Sequence, residues 1–182
     1  LQDVARCDYC CDGQTGTRYM INIGGLNFDA DTCLEFCRMK SKKGGADGSF
    51  YVKSILRAMK HSRLEKCTIT VDGEQFHDDE TFSIALGIGK FSGGGLQQTP
   101  YALPDDGLVA MTVVGNISKF RVLCSMPKLL AGRIFDIKRV THTQFRNATI
   151  ESRMPINVEI DGEMLGTTPV TITTITGAIR MC

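Results

Sequence analysis

The sequence predicts a mainly β fold of the α+β class: an antiparallel β-sandwich with a two-helix insertion near its amino-terminal end. In the second half of the 182-residue chain, apolar and polar residues alternate with the period of two that is typical of half-buried strands, and Gly, Asp and Pro interrupt the pattern at short intervals. Two stretches in the first half instead repeat apolar residues at helical spacing. Short antiparallel strands that pack face to face accommodate both patterns.

The chain opens with two predicted strands, residues 3–11 and 17–23. Asp12, Gly13 and Gln14 lie between them, and Asp-Gly favours the backbone angles of tight hairpins. Gly24 and Gly25 follow, and we expect them to end the second strand.

Two amphipathic helices come next. Apolar residues recur at i, i+3, i+4 and i+7 in both, and the first helix should end before Gly44. Asp47 or Ser49 is the expected cap of the second helix. The apolar positions are Ala30, Cys33, Leu34 and Cys37 in the first helix, and Val52, Ile55, Leu56 and Met59 in the second.

Strands dominate the remainder of the chain. Residues 66–71 and 81–89 flank an Asp72-Gly73 turn and predict a hairpin, residues 108–114 predict a further strand, and alternation resumes at Ile156. A short helical patch is expected at residues 126–131. No low-complexity linker divides the sequence, so residues 1–182 are interpreted as one domain.

Composition excludes several classes of protein. Apolar residues make up 42% and charged residues 23%, as in ordinary globular domains, and no apolar run approaches the roughly 20 residues that span a bilayer. The eight cysteines show no paired metal-ligand spacing, which favours reduced thiols and a cytoplasmic location. Neither a nucleic-acid motif nor a familiar nucleotide-binding loop is present.

Charge is unevenly distributed. The chain carries a net charge of +1, but residues 38–66 hold nine Lys or Arg against Asp47 and Glu65. This stretch could attract an anionic membrane surface, which would place the protein at the membrane periphery. The alternative is a solvated helix face.

Three segments could carry chemistry. The glycines at residues 93–95 allow close backbone approach to a ligand, and residues 103–108 (Leu-Pro-Asp-Asp-Gly-Leu) could offer hard oxygen ligands to Mg²⁺ or Ca²⁺. Residues 161–163 (Asp-Gly-Glu) place two carboxylates at a turn, where one could accept a proton from a hydroxyl. For each segment the alternative is an ordinary turn.

An internal echo accompanies the last segment, because residues 71–74 (Val-Asp-Gly-Glu) and 160–163 (Ile-Asp-Gly-Glu) share one pattern at the end of an alternating strand. Local pattern alone makes both of them hairpin turns.

Taken together and in order, these segments resemble the diacylglycerol kinase family, which includes bacterial lipid kinases and sphingosine kinases. The resemblance runs from about Arg18 to Met181 and implies the carboxy-terminal β-sandwich of that family. It rests on the Leu-Asn-Phe-Asp-Ala run at residues 26–30, the Gly-Gly-Gly run at 93–95, the Asp-Asp-Gly run at 105–107 and the Asp-Gly-Glu run at 161–163.

The resemblance implies roles for particular residues. Glu163 and Asp161 would be the catalytic carboxylates, and which of them is the base stays open. Asp106 would bind Mg²⁺ through its carboxylate, and Leu103 and Leu108 through their main-chain carbonyls. Gly93, Gly94 and Gly95 would lie at the substrate.

The resemblance also implies partners: ATP, a lipid with a free hydroxyl, a membrane surface and the protein's own amino-terminal domain, but no nucleic acid. That family binds ATP with a Gly-Gly-Asp-Gly-Thr loop in the amino-terminal domain. This loop is absent here, since the nearest string, residues 44–48, reads Gly-Gly-Ala-Asp-Gly. We therefore expect the isolated chain to be inactive and its longer parent to be a lipid kinase.

Two alternatives remain open. The chain could be a non-catalytic module for lipid binding or protein interaction, or it could be a relative of the NAD kinases, which share a distantly similar two-domain plan.

Overall fold

The computed structural model describes residues 1–11, 14–43 and 48–180. Its strands are β1 (Gln2–Cys11), β2 (Gln14–Met20), β3 (Ile23–Asn27), β4 (Glu65–Val71), β5 (Glu74–Gly87), β6 (Phe91–Ser92), β7 (Leu96–Gln97), β8 (Val109–Gly115), β9 (Val140–Phe145), β10 (Asn147–Ser152), β11 (Asn157–Ile160) and β12 (Glu163–Ile179). Its helices are α1 (Phe28–Lys43), α2 (Gly48–His61) and α3 (Lys119–Leu130), with 3-10 turns at Gly93–Gly95 and Ile134–Asp136.

Ten strands form one antiparallel sheet that closes on itself. The hydrogen-bonded order is β10-β4-β5-β3-β11-β12-β1-β2, β8 and β9 extend it from β5, and β10 also pairs with β12. The two longest strands, β5 and β12, join the layers. The first part of β5 pairs with β4 and its last part with β3, while β12 pairs first with β11 and then with β10. Bulges let a strand bend in this way from one layer of a sandwich into the other.

The main core lies between the layers. Phe145, Met20, Leu26, Ile84 and Met111 are among its largest fully buried side chains. Because they come from five different strands, β9, β2, β3, β5 and β8, the core depends on closure of the whole sheet.

Helix α1 covers the outer face of β3 and β11. Asp29 and Asp31 lie in its first turn, where carboxylates favour a helix N-terminus. It packs so closely that a Cβ atom on Gly25 would lie 2.7 Å from Cβ of Asp29. Every residue of β3 is buried as a result, and β11 is nearly so.

Helix α2 packs beside α1, and α3 packs through Val122 against a smaller cluster of apolar side chains. The ring centroids of Phe36 on α1 and Tyr51 on α2 lie 6.3 Å apart. Helix α3 begins at Ser118, whose hydroxyl accepts a hydrogen bond from the backbone N–H of Arg121. Across the described ranges, no helix is both long and apolar enough to cross a bilayer.

The predicted fold class and its two-helix insertion are confirmed, whereas several boundaries were wrong. Residues 21–22 form a bend rather than the end of one strand, so the second predicted strand divides into β2 and β3. Strand β5 begins at Glu74 rather than at residue 81, because β4 gives its polar, solvent-exposed first part a ladder partner. Helix α3 begins seven residues before the predicted patch at 126–131 because Ser118 caps it. The predictions for Asp12, Gly13, Gly44 and Asp47 lie outside the described residues.

Candidate functional site

The Asp-Gly-Glu segment forms the hairpin turn between β11 and β12. Asp161 has φ 51° and Gly162 has φ 85°, and Ile160 pairs with Glu163 across the turn. Positive φ at both central residues defines the two-residue turn that Asp-Gly favours.

The Asp161 carboxylate binds three backbone amides. The N–H of Ile21 donates to Oδ2 at 2.7 Å, and the N–H groups of Asn22 and Ile23 each donate to Oδ1 at 3.0 Å. The backbone N–H of Asp161 in turn donates to the carbonyl of Ile23 at 2.8 Å. Asp161 therefore ties the β11–β12 turn to the bend between β2 and β3.

The glycine segment meets this turn. Gly93 and Ser92 line a cleft of about 310 Å³ together with Asp161, Gly162 and residues 21–23. A Cβ atom on Gly93 would lie 2.9 Å from Cε2 of Tyr51, which is closer than real Cβ atoms approach. The structure thus brings two of the three segments singled out in the sequence to one cleft.

Glu163 lies at the exposed side of the turn. Its side chain is 70% exposed, and Oε2 lies 3.3 Å from Nη1 of Arg18. An exposed ion pair of this kind contributes at most about 1 kcal/mol to stability, so it leaves the carboxylate available to solvent and to a ligand.

The echo at Asp72 has the same conformation. Asp72 has φ 47° and Gly73 has φ 90°, and the Asp72 carboxylate accepts hydrogen bonds from the backbone N–H groups of Arg146 and Asn147. Both aspartates therefore cap a neighbouring turn, and local conformation does not distinguish the two segments. The preference for Glu163 over Glu74 stays a prediction.

Buried Asp3 holds the Asp-Asp-Gly segment. Asp3 is fully buried, and its carboxylate accepts from the N–H groups of Gly107 at 2.6 Å and Gly177 at 2.7 Å. Its backbone N–H donates to the carbonyl of Pro104 at 2.7 Å. Beside it, Gln2 Nε2 donates to the carbonyl of Ile21 at 2.6 Å, so contacts run from this loop to the bend that Asp161 caps.

The donor set at this loop is chemically suited to Mg²⁺. Main-chain carbonyls at Leu103 and Leu108 and the carboxylate of Asp106 are hard oxygen donors. Asp106 accepts a hydrogen bond at each oxygen, from the Leu108 N–H at 3.0 Å and from Gln144 Nε2 at 3.2 Å, which fixes the carboxylate in the loop. The described part of the chain contains no cluster of three or more His, Cys, Asp or Glu side chains that could hold a metal. A cation here would therefore depend on carbonyl oxygens.

Two carboxylates that sequence reasoning missed lie behind the Asp-Gly-Glu turn. Glu159 on β11 is only 5% exposed, and its Oε2 accepts a hydrogen bond from the Gly162 N–H at 2.9 Å. Burial, and next the nearby Asp29 on α1, raise the pKa of Glu159 from 4.5 to about 8. Burial likewise raises the pKa of Asp29 from 3.8 to about 6, although a hydrogen bond from Gln98 opposes the shift.

An apolar cavity of about 80 Å³ lies under the three helices. Tyr51 and Ile55 of α2 and Val122, Met126 and Leu129 of α3 line it, against Phe82, Ala85 and Val114 of the sheet. Tyr51, packed on Gly93, stands between this cavity and the cleft.

One wall of the cavity is polar. Asp29 and Gln98 both line it, and Gln98 Nε2 donates to Asp29 Oδ1 at 2.9 Å. The other amide atom, Gln98 Oε1, is buried without a hydrogen-bond partner among the described residues. An orphaned buried acceptor costs free energy, and a ligand or water that donates a hydrogen bond would relieve that cost.

Comparison with known proteins gives one family and a consistent set of relatives. The family model described as the YegS C-terminal NAD kinase beta sandwich-like domain matches residues 35–182. A protein of Stenotrophomonas maltophilia named "Probable lipid kinase YegS-like" is 32% identical over 126 residues, 67% of this chain and 40% of the relative. A protein of the same name from Chromohalobacter salexigens is 28% identical over 83% of this chain and 48% of its own length.

The chain spans about half the length of the curated relatives it matches. It also superposes on a Bacillus anthracis structure titled as a diacylglycerol kinase, with a TM-score of 0.57 and 18% identity, over 97% of this chain and 51% of the other. A second structure from that organism gives a TM-score of 0.66 at 21% identity, over 97% and 53%. At these identities the superpositions establish the fold.

Replacing Glu159 by Gln should change how stability depends on pH. Because the pKa is about 8 in the folded protein and 4.5 when unfolded, the native chain binds the additional proton between these values. Stability should therefore fall as pH rises through this window. The amide of Glu159→Gln stays neutral, so between about pH 5 and pH 8.5 the variant should gain about 1–4 kcal/mol relative to wild type. Urea unfolding at several pH values measures this difference.

Glu163→Gln is the matched control for that experiment, because its carboxylate is exposed. Its stability should follow wild type across the same pH range. A Glu159→Gln profile parallel to wild type would show that Glu159 is ionised and solvated in the native state.

Proposed function

We propose a function on the premise that the chain belongs to the family of YegS C-terminal NAD kinase beta sandwich-like domains. In this proposal the chain forms the substrate side of the active site of an ATP-dependent lipid kinase. The relatives carry the name lipid kinase. The finer proposal is a kinase of the diacylglycerol kinase type, which phosphorylates the hydroxyl of a lipid.

The apolar cavity is the observation that carries this proposal. Apolar side chains from helices and sheet surround it, as is usual in sites for small apolar ligands. Its volume of about 80 Å³ suits the end of a hydrocarbon chain, since sites for whole ligands measure roughly 300–1,000 Å³. Its polar wall at Asp29 and Gln98 offers acceptors to a hydrogen-bond donor. Tyr51 separates this space from the cleft at Gly93, so one lipid could place its tail in the cavity and its reacting head in the cleft.

The two carboxylates of the Asp-Gly-Glu turn have different proposed roles. Both oxygens of Asp161 are engaged by backbone amides, which suits a positioning role for the walls of the cleft. Glu163 is held by a single exposed ion pair, and we assign it the task of accepting the hydroxyl proton. ATP supplies the γ-phosphoryl group that the hydroxyl receives.

Magnesium would bind at the loop of Leu103, Asp106 and Leu108. There it would neutralise the carboxylate and strengthen a loop that Asp3 already anchors to β12 through Gly177. Gly93, Gly94 and Gly95 would let the backbone approach the lipid head.

The nucleotide would be held mainly by a further domain of the longer protein, since this chain has no Gly-Gly-Asp-Gly-Thr loop. We therefore expect residues 1–182 alone to bind lipid and to transfer no phosphoryl group. The second candidate function, a non-catalytic lipid-binding module, has the same observation in its favour: the cavity is complete without a nucleotide loop. Activity of the longer protein distinguishes the two.

Filling the cavity should weaken lipid binding by the 182-residue chain. Ser125 is half-buried and lines the cavity from α3, so Ser125→Trp would put an indole into space that a lipid tail needs. We expect at least a tenfold loss of affinity for a fluorescent diacylglycerol, about 1.4 kcal/mol. Ser125→Ala is the control and should bind as wild type does. If Ser125→Trp folds and still binds with full affinity, the lipid lies elsewhere.

Removing the proposed proton acceptor should stop turnover in the longer protein. Glu163→Gln should lower kcat about 10²- to 10⁴-fold, the usual contribution of general-base catalysis, with KM for the lipid nearly unchanged. Glu74→Gln, at the echo turn, is the matched control and should retain full activity. Loss of activity in Glu74→Gln and not in Glu163→Gln would reverse the assignment.

A further inference from the structure

Helix α3 carries two sets of apolar side chains, of which the protein half-buries one. Val122, Met126 and Leu129 line the cavity. On the outer surface Phe120 is 77% exposed, Leu130 54% and Leu123 38%. A helix that served only to roof the cavity would carry polar residues on that outer surface.

The spacing puts these two sets on neighbouring sides of the helix. With about 100° between successive residues, Val122, Met126 and Leu129 fall within one arc, and Phe120, Leu123 and Leu130 fall within a second arc whose centre is roughly 110° away. The outer residues therefore form one continuous stripe, the outer stripe of α3.

Cations flank the outer stripe on both sides. By the same spacing, Lys119 lies next to Leu130 on one side, and Arg121 and Lys128 lie roughly 80–100° beyond Phe120 on the other. No Asp or Glu occurs from residue 119 to residue 135. The Nζ of Lys119 donates to a backbone carbonyl at 3.5 Å and that of Lys128 to another at 3.1 Å; neither contact neutralises the ammonium charge.

We propose that α3 is an interfacial helix that docks this domain on an anionic phospholipid surface. The outer stripe would enter the boundary between headgroups and acyl chains, while Lys119, Arg121 and Lys128 contact lipid phosphates. This deepens the proposed function on which it rests: the helix that lies on the bilayer is also the roof of the cavity, so a lipid would have a short path from the membrane to the site.

Charge complementarity favours a lipid surface over a protein partner. Apolar residues bordered by Lys and Arg, with no acidic residue between them, are typical of helices that lie in the plane of an anionic membrane. The long Lys and Arg side chains can lay their methylene groups along the apolar stripe and keep their charges at headgroup level. The core of a protein interface, by contrast, is generally depleted of Lys.

Co-sedimentation of the 182-residue chain with vesicles tests this inference. We expect binding to phosphatidylcholine vesicles that contain about one-third phosphatidylglycerol, at least tenfold weaker binding to pure phosphatidylcholine, and weakening at high salt. Phe120→Asp should lower the affinity for the anionic vesicles at least tenfold, because it places a charge in the apolar stripe. Arg121→Glu should lower it several-fold and reduce its salt dependence.

Two controls make the result specific to α3. Leu56 on neighbouring α2 is 46% exposed, and Met154 in the loop before β11 is 59% exposed. Leu56→Asp and Met154→Asp should keep most of the vesicle binding. Thermal unfolding and circular dichroism confirm that each variant is folded.

Several outcomes would overturn the proposal. Full binding by Phe120→Asp, loss of binding by Leu56→Asp in its place, or equal binding to neutral vesicles would each exclude docking through α3. If the chain binds no vesicles and Phe120→Asp instead turns a dimer into a monomer, the outer stripe is a protein interface.

A failure of membrane docking through α3 can be distinguished from a failure of the proposed lipid kinase function. Diacylglycerol in detergent micelles reaches the cavity without a membrane, so its binding and its sensitivity to Ser125→Trp report on the cavity alone. Phe120→Asp should leave that binding unchanged.

Discussion

The Asp161 carboxylate, bound to three successive backbone amides, organises the functional end of this domain. It joins the β11–β12 turn to the bend between β2 and β3, and the cleft with Gly93 forms between these two turns. Asp72 binds two adjacent backbone amides in the same manner at another turn, whereas Asp3 joins the amides of two distant segments, at Gly107 and Gly177. Aspartate is the appropriate residue for this purpose because its short side chain and two acceptors match adjacent N–H groups. Because these hydrogen bonds occupy both oxygens of Asp161, the proposed reaction depends on Glu163, whose carboxylate the turn leaves exposed.

Behind that turn, close packing of α1 on the sheet creates a second constraint. It places Glu159 and Asp29 together in a dry environment, where both carboxyls have raised pKa values. Burying two like charges is costly, and a proton on Glu159 reduces that cost at neutral pH. The same packing makes the polar wall of the cavity, since Asp29 binds Gln98 there. A hydrogen-bond donor that enters the cavity would find acceptors already in place at that wall.

Local sequence patterns predicted the features that neighbouring residues determine, namely strands and tight turns. Alternation located β4 and β11, and Asp-Gly correctly indicated tight turns at Asp72 and Asp161, since both adopt positive φ. Alternation failed at Glu159: the sequence groups it with Asn157 and Asp161 on the polar side of β11, but α1 covers that side. A charged residue within a buried strand can be recognised only once the covering helix is known.

Features that are assembled from distant segments of the chain could not be predicted from local sequence patterns, for the same reason. The cavity draws its lining from all three helices and several strands, and Asp3 meets its partner Gly177 across nearly the whole chain. The Gln98 oxygen that has no partner among the described residues has no sequence signature, because an amide in a polar stretch is typical of an ordinary surface position. The resemblance identified residues 93–95 and 161–163 as parts of one site, and the structure places Gly93 and Asp161 at one cleft.

The most direct test of the central claim is to locate a bound lipid on the chain. A diacylglycerol with a photoreactive group in its acyl tail, irradiated with the protein and mapped by mass spectrometry, should label α3 around Val122 and Met126 and β8 around Val114. A larger groove of about 490 Å³ beside Tyr9 and Pro169 offers the natural competing location. Labelling confined to that groove would contradict the account of a lipid site beneath the helices.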